Sequence, residues 1–204
     1  MRGRLHGEPL ADVANRFDEC ADRYDEDRFH VWLAAQTATW AGASPGQVLE
    51  VGAGTGRASE DLPARTCGPP VVLLDVSAGM LHVARRRRPA AQVVRADAHR
   101  LPFADHVFDR IFCVAVDSFL SLGDFGVEVA RVLVPGGDLV MTVWADPPAV
   151  VKDVVDAAAR ALGLARLEIR GWETLTWPPT GPIGTNGPPP RRCVVFSARR
   201  GLAP

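Results

Sequence analysis

The sequence predicts an α/β fold, a mainly parallel, doubly wound sheet sandwiched by helices. Two observations predict it. Short apolar runs alternate with helical patterns through most of the chain, the mark of strand–helix–strand units. Strands one to five look buried on both faces, as the strands of a parallel sheet are.

Residues 9–42 read as helical, because Phe17, Cys20, Tyr24 and Phe29 recur at near-helical spacing among Asp, Glu and Arg. A second helix, from Val31 to Trp40, stops at Gly42 and Pro45. Gln47 to Val51 is a short apolar run that meets glycine-rich sequence, so it reads as a buried strand entering a tight turn. Arg57 to Thr66 can form a helix that Pro63 ends or kinks. The second strand spans Val71 to Leu74 and ends at Asp75. Ser77 caps a helix that runs to Arg88, where Pro89 stops it. The third strand spans Ala91 to Arg95, ending at Asp97, and the fourth spans Val107 to Val116. A helix over Asp124 to Leu133 is stopped by Pro135, Gly136 and Gly137, a turn that leads into a fifth strand over Asp138 to Trp144. Ala149 to Leu162 is helical. Leu164 to Thr174 and Arg192 to Arg199 are the last two strands, expected to form an antiparallel hairpin since no helical pattern joins them. Their connection, residues 176–190, holds six prolines and three glycines and reads as a long irregular loop. Residues 1–45 are read as an N-terminal helical cap and 46–204 as the main domain.

Composition removes several function classes. The chain has 204 residues and is 47% apolar, which suits a globular fold. A net charge of -1 gives no reason to expect nucleic acid or an anionic membrane as partner. The basic run Arg85 to Arg88 reads as a solvated helix end. The four cysteines are scattered, with no Cys-x-x-Cys pair, so no metal site is expected and reduced thiols in a cytoplasmic protein are. No apolar run resembles a signal peptide or a membrane span.

The stretch from Val48 to Arg57 carries the chemistry. Gly52, Gly54 and Gly56 sit where a buried strand turns sharply into an expected helix, and such turns let a ligand approach the backbone. The spacing is Gly-x-Gly-x-Gly. A dinucleotide site wants Gly-x-Gly-x-x-Gly, and a Walker-type phosphate loop wants Gly-Lys-Ser/Thr. Glu50 precedes the first glycine by two residues, a poor neighbour for pyrophosphate and a good one for a cationic ligand. Asp75, at the second strand tip, can accept from the adjacent hydroxyls of a ribose or can cap a helix. Asp97, at the third, can accept from an adenine amino group or can be an ordinary loop aspartate.

These pieces resemble the class I S-adenosylmethionine-dependent methyltransferases, in particular their small-molecule branch with a type 11-like methyltransferase domain. The match runs from about Phe17 to Phe196. It rests on Val48 to Gly56, Leu74 to Leu81, Ala96 to Ala98, Leu101 to Asp109 and Arg131 to Gly137. The resemblance implies a Rossmann-like sheet of seven strands in the order 3-2-1-4-5-7-6 with strand 7 antiparallel. It implies S-adenosyl-L-methionine as cofactor. Gly52, Ala53, Gly54 and Gly56 would run beside the methionine part, with Glu50 supporting its ammonium end. Asp75 would hold the ribose, Val76 and Met80 would flank the adenine, and Asp97 and Ala98 would bind its edge. Cys113 and Val114 would touch the cofactor through backbone atoms. Val134 departs from the family, where many members have lysine.

The sulfonium already activates the methyl group, so placement supplies much of the catalysis and no diagnostic motif is required. Asp117 is a candidate to orient or deprotonate an acceptor, or it caps the helix or loop that follows. Tyr24 is a candidate to lie over the cofactor, or it packs within the cap. Among the histidines, His99 and His106 rank first as bases, and both read as surface residues. No lid segment comes after the fifth strand. The cover over a relatively open acceptor pocket is expected from residues 9–42, from the second copy in a homodimer, or from a large substrate. The reading is therefore a methyltransferase acting on a small-molecule acceptor at O, N or C. A protein or peptide acceptor, and a binding module without transfer activity, stay open.

Overall fold

The structure is a computed structural model that describes residues 8–43, 46–60, 71–145, 151–177 and 191–201. Seven strands form one sheet: β1 (Val48–Val51), β2 (Val72–Asp75), β3 (Gln92–Arg95), β4 (Phe108–Cys113), β5 (Leu133–Trp144), β6 (Leu167–Trp177) and β7 (Arg191–Arg200). Their order is β3-β2-β1-β4-β5-β7-β6. β1 to β5 pair in parallel, and β7 runs antiparallel between β5 and β6. The expected order and the expected hairpin are both present. The register sets Val51 beside Leu74 and Cys113, so the carboxyl ends of β1, β2 and β4 finish together.

The helices are α1 (Leu10–Cys20), α2 (Arg28–Ala41), α3 (Ala78–Arg87), α4 (Leu122–Val132) and α5 (Val151–Gly163). A 3-10 helix over Ala21–Glu26 joins α1 to α2, and a shorter one covers Asp117–Phe119. Ser77 caps α3 as expected, its side chain accepting from the Met80 N–H. Asp27 does the same for α2 through Phe29.

The sheet separates two apolar layers. One buries Phe108, Ile111, Phe125, Val129, Leu139 and Phe196 under α4 and α5. The other buries Phe29 and Leu33 of α2 against Val48, Phe112, Val140 and Val195. Each fully buried side chain of this kind is worth about 1.5–3 kcal/mol. A small third cluster seats α3, through Leu81 and Ala84, on Leu73.

Several elements differ from expectation. β3 is not buried on both faces, because it is an edge strand with β2 as its one neighbour, and its residues range from half-buried to exposed. β4 ends at Cys113 rather than Val116, since Ala115 turns to φ 58° and gives its N–H to Thr142 Oγ1. Pro135, Gly136 and Gly137 do not precede β5. They sit inside it, where two steps along β4 face five along β5, an irregularity that absorbs the extra residues. No helix begins at Arg57. Residues 58–60 are turns, and the rest of that expected helix lies outside the described residues. The Pro-rich connection, from residue 178 on, and Cys67 also lie outside them.

The basic run is also not simply solvated. Arg86 donates to Asp22, and Arg87 donates to Asp25 and to the Thr55 carbonyl. Asp25 accepts in addition from Thr55 Oγ1 at 2.7 Å and from Arg57 Nε at 3.2 Å. Asp18 accepts from Ser77 Oγ and the Gly79 N–H. Three acidic residues of the N-terminal segment thus clamp it to α3 and to the glycine turn. Burial alone would raise the Asp25 carboxyl, but the bonds from Thr55 and Arg87 hold it below the usual range. Replacing Arg87 by alanine leaves a mostly buried carboxylate short of its main partner. That variant is expected to lose about 2–3 kcal/mol of stability in urea unfolding, with the amides of residues 10–26 exchanging faster.

Candidate functional site

A cavity of about 340 Å³ opens at the carboxyl ends of β1 to β4, where open parallel sheets bind ligands. Gly52 and Gly54 form one wall. Leu74, Asp75 and Val76 come from the tip of β2, and Met80 from α3. Ala96 to His99 lie just after β3, and Val114 to Val116 just after β4. Phe119 to Ser121 and, from the N-terminal segment, Glu8, Leu10, Val13, Phe17 and Tyr24 close the remaining side. The cover thus comes from the N-terminal segment of the same chain. A smaller cavity of about 50 Å³ shares Tyr24, Gly52, Gly54, Val114 and Ala115 with the first, and adds Asp25, His30, Glu50, Ala53 and Arg57.

The turn after β1 has a distinct reason at each glycine. Gly52 sits at φ +62°, and a Cβ there would fall 2.4 Å from Val116 Cγ2. Gly54 sits at φ +52°, yet a Cβ there would meet nothing within 4 Å. Gly56 lets Leu73 and Ala84 approach, so β2 packs on α3. The Ala53 N–H bonds to the Leu74 carbonyl at 2.9 Å and ties the turn to β2.

Asp75 is 8% exposed. Its Oδ2 accepts from the Gly54 N–H at 2.8 Å and its Oδ1 from the Ser77 N–H at 2.9 Å. Burial pushes this carboxyl up, and the two N–H bonds oppose that shift. Asp75 lines the cavity, and its two oxygens have acceptor capacity beyond these bonds. Glu50 is 3% exposed and accepts from the Ser59 N–H at 3.0 Å. Burial pushes its carboxyl up to about 7. Asp97 Oδ1 accepts from the His99 N–H and contacts His99 Nδ1, both at 2.9 Å.

The expected site residues divide plainly. Gly52, Gly54, Asp75, Val76, Met80, Asp97, Ala98, Val114 and Tyr24 line the larger cavity, while Glu50 and Ala53 line the smaller. Gly56 lines neither and acts through packing. Cys113 also lines neither. It is fully buried in the sheet, where burial pushes its thiol up, and the chain turns toward the cavity only after it. Asp117 lies outside both linings, with Oδ2 accepting from the Trp144 N–H at 3.1 Å. Tyr24 stacks on His30 at 4.9 Å and meets Phe17 edge-on. Burial pushes its phenol far up, so it is a neutral donor and not a base. His106 sits away from the cavity, beside the Leu133 carbonyl and Arg200.

Sequence reasoning missed the apolar wall of Leu10, Val13, Val116, Phe119 and Leu120. Phe17 carried a signal in its helical spacing with Tyr24, but Phe119 carried none. It meets Phe17 edge-on at 5.6 Å. Also missed was His30, whose buried Nδ1 has no hydrogen-bond partner among the described residues. Among the described residues, no cluster of His, Cys, Asp and Glu could hold a metal ion, and no helix is long and apolar enough to cross a membrane.

A family model described as a methyltransferase domain matches residues 49–141. The demethylmenaquinone methyltransferase of Thermobifida fusca is 35% identical over 161 residues, which cover 72% of this chain and 67% of that protein. The chain belongs to the class I S-adenosylmethionine-dependent methyltransferases. The demethylmenaquinone methyltransferase of Renibacterium salmoninarum is 40% identical over 152 residues, 67% of this chain and 60% of that protein. The chain spans about three-fifths of the length of the first such relatives. Among solved structures, a Haloferax volcanii methyltransferase in complex with the Trm112 activator superposes with a TM-score of 0.78 at 18% identity, covering 94% of this chain and 99% of that one. The [4+2]-cyclase SpnF superposes with a TM-score of 0.69 at 16% identity, each chain fully covered. These likenesses show the methyltransferase fold. A cyclase among them shows that the fold alone does not state the reaction.

Proposed function

We propose that this chain binds S-adenosylmethionine in the larger cavity and transfers its methyl group to an apolar small molecule. The observation that carries this is Asp75, a nearly buried carboxylate at the tip of β2, fixed by the Gly54 and Ser77 N–H groups and still able to accept from a ribose diol. The residues fit the rest of the cofactor. Asp97 and Ala98 face the adenine edge, Val76 and Met80 its faces, and Gly54 leaves space where a Cβ would stand. Glu50 faces the ammonium end from the smaller cavity, which Arg57 and His30 also line.

When bound, the cofactor supplies an electrophilic methyl group on its sulfonium. The chain supplies placement and exclusion of water. Leu10, Val13, Phe17, Val116, Phe119 and Leu120 give the remaining wall an apolar character suited to an aromatic or aliphatic acceptor. Few lining groups can take a proton. Asp75 and Asp97 serve the cofactor, Tyr24 is neutral, His99 Nε2 accepts from the Ser121 N–H, and Glu8 is paired with Arg16 at 2.7 Å. The acceptor therefore brings its own nucleophilicity, as an acidic hydroxyl or an electron-rich ring does. The relatives' name, demethylmenaquinone methyltransferase, supports a small acceptor of that kind. In this reading residues 1–45 act as a cap on the domain at 46–204.

The test is calorimetry with S-adenosylmethionine across pH, followed by transfer of a labelled methyl group to demethylmenaquinone and simpler quinols. Binding is expected, and it should weaken as pH falls below about 7, by up to about tenfold per unit, because an ammonium favours ionised Glu50. Glu50→Gln should flatten that dependence. The ligand-free protein should show the opposite sign. Its Glu50 prefers the protonated form, so the stability gained below about 4.5 is lost as pH rises through about 7. Absence of binding at every pH would remove the proposal, and binding without transfer to any acceptor would leave a binding module.

A further inference from the structure

His99 stands between two parts of the cavity wall. Its Nε2 lies 3.0 Å from the Ser121 backbone nitrogen, at the N-terminus of α4. A backbone N–H can only donate, so Nε2 accepts and carries no hydrogen. The ring proton of the neutral imidazole is then on Nδ1, 2.9 Å from Asp97 Oδ1. The backbone N–H of His99 falls on the same oxygen at 2.9 Å. Both bonds fall on Oδ1 and leave Oδ2 of this cavity-lining residue without either of them. The result is a continuous chain of donors, from the Ser121 N–H through the imidazole to the Asp97 carboxylate.

We propose that His99 is a positioning residue: it holds Asp97 in the orientation that reads an adenine amino group, and it couples that seat to the wall formed by Phe119 to Ser121. The inference rests on the cofactor reading above. Asp97 is partly exposed, its side chain at 37%, so without a second anchor it can rotate about its bond to the His99 N–H. Ser121 is exposed, so the imidazole is what shields its amide. An adenine amino group that fixes Oδ2 stops Asp97 from rotating, so the imidazole stays on the Ser121 N–H and the start of α4 is ordered. Because the chain is two-sided, its halves separate by mutation. Asparagine places an amide nitrogen where Nδ1 stands and keeps the bond to Asp97. Glutamine places an amide oxygen where Nε2 stands and keeps the bond from Ser121.

The experiment measures two things in the full chain, wild type, H99N and H99Q. The first is the affinity for S-adenosylhomocysteine against its deaminated 6-oxo analogue. The second is hydrogen exchange at the Ser121 amide with and without S-adenosylhomocysteine. The wild type should favour the amino form by about a hundredfold, because the 6-oxo group faces a carboxylate, and its Ser121 amide should slow further on binding. H99N should keep that preference within about threefold while Ser121 exchanges about tenfold faster and no longer responds to ligand. H99Q should keep the Ser121 protection while the preference shrinks about tenfold. Variants that match the wild type in both readouts, or that lose both together, overturn the proposal. So does a wild-type His99 whose imidazole nitrogen shifts show the proton on Nε2, a measurement that needs no variant. Failure of the wild type to bind S-adenosylhomocysteine would sink the cofactor reading and this coupling with it. Wild-type binding and discrimination with unaltered variants would sink the coupling alone.

Discussion

Replacing Asp75 by asparagine is expected to weaken S-adenosylmethionine binding about a hundredfold while the chain stays folded. The two ribose hydroxyls would each give a charge-assisted bond to this carboxylate, and such bonds are worth about 1.5–3 kcal/mol. Asparagine keeps the shape and one acceptor oxygen but turns an amide NH₂ toward a donor. It cannot accept from Gly54, Ser77 and both hydroxyls at once. Removing a burial-raised charge offsets part of the structural loss, so the cost falls on the ligand more than on the fold. Calorimetry with thermal unfolding on the same sample separates the two. Equal affinity in both proteins would remove Asp75 from the site.

The second large effect is a contrast between two neighbouring glycines. Both hold positive φ, so alanine at either costs about 1–2 kcal/mol of backbone strain. At Gly52 the new methyl also strikes Val116, whose short branched side chain has little room to yield. Gly52→Ala is expected to lose about 3 kcal/mol of stability overall, read from urea unfolding. At Gly54 the new methyl meets no protein atom. Gly54→Ala is therefore expected to lose only the strain term, yet to abolish measurable cofactor binding because the methyl stands where the ligand passes. If Gly54→Ala binds as the wild type does, the ligand does not pass the turn.

The contrast shows what a sequence can and cannot disclose. Alternating strands and helices, the glycine turn and Asp75 were legible because each depends on near neighbours in the chain. β3 was misread because Val93 and Val94 look the same in a central strand and at an edge. Arg86 and Arg87 looked solvated because Asp22 and Asp25, their partners, lie more than sixty residues away. A carboxylate after β4 reads alike whether it enters the cavity or caps Trp144, and Asp117 does the latter. Cys113 and Val114 could not be separated, since the strand's end depends on the Thr142 hydroxyl across the sheet. The apolar wall at Leu10, Phe17 and Phe119 is assembled from distant segments and has no local pattern.

The most direct measurement is a crystal structure of the chain with S-adenosylhomocysteine. The ribose is expected on Asp75, the adenine amino group on Asp97 Oδ2, the amino-acid end toward Glu50, and the sulfur facing the wall of Phe17 and Phe119. A ligand bound elsewhere, or one whose ribose leaves Asp75 untouched, would contradict the account.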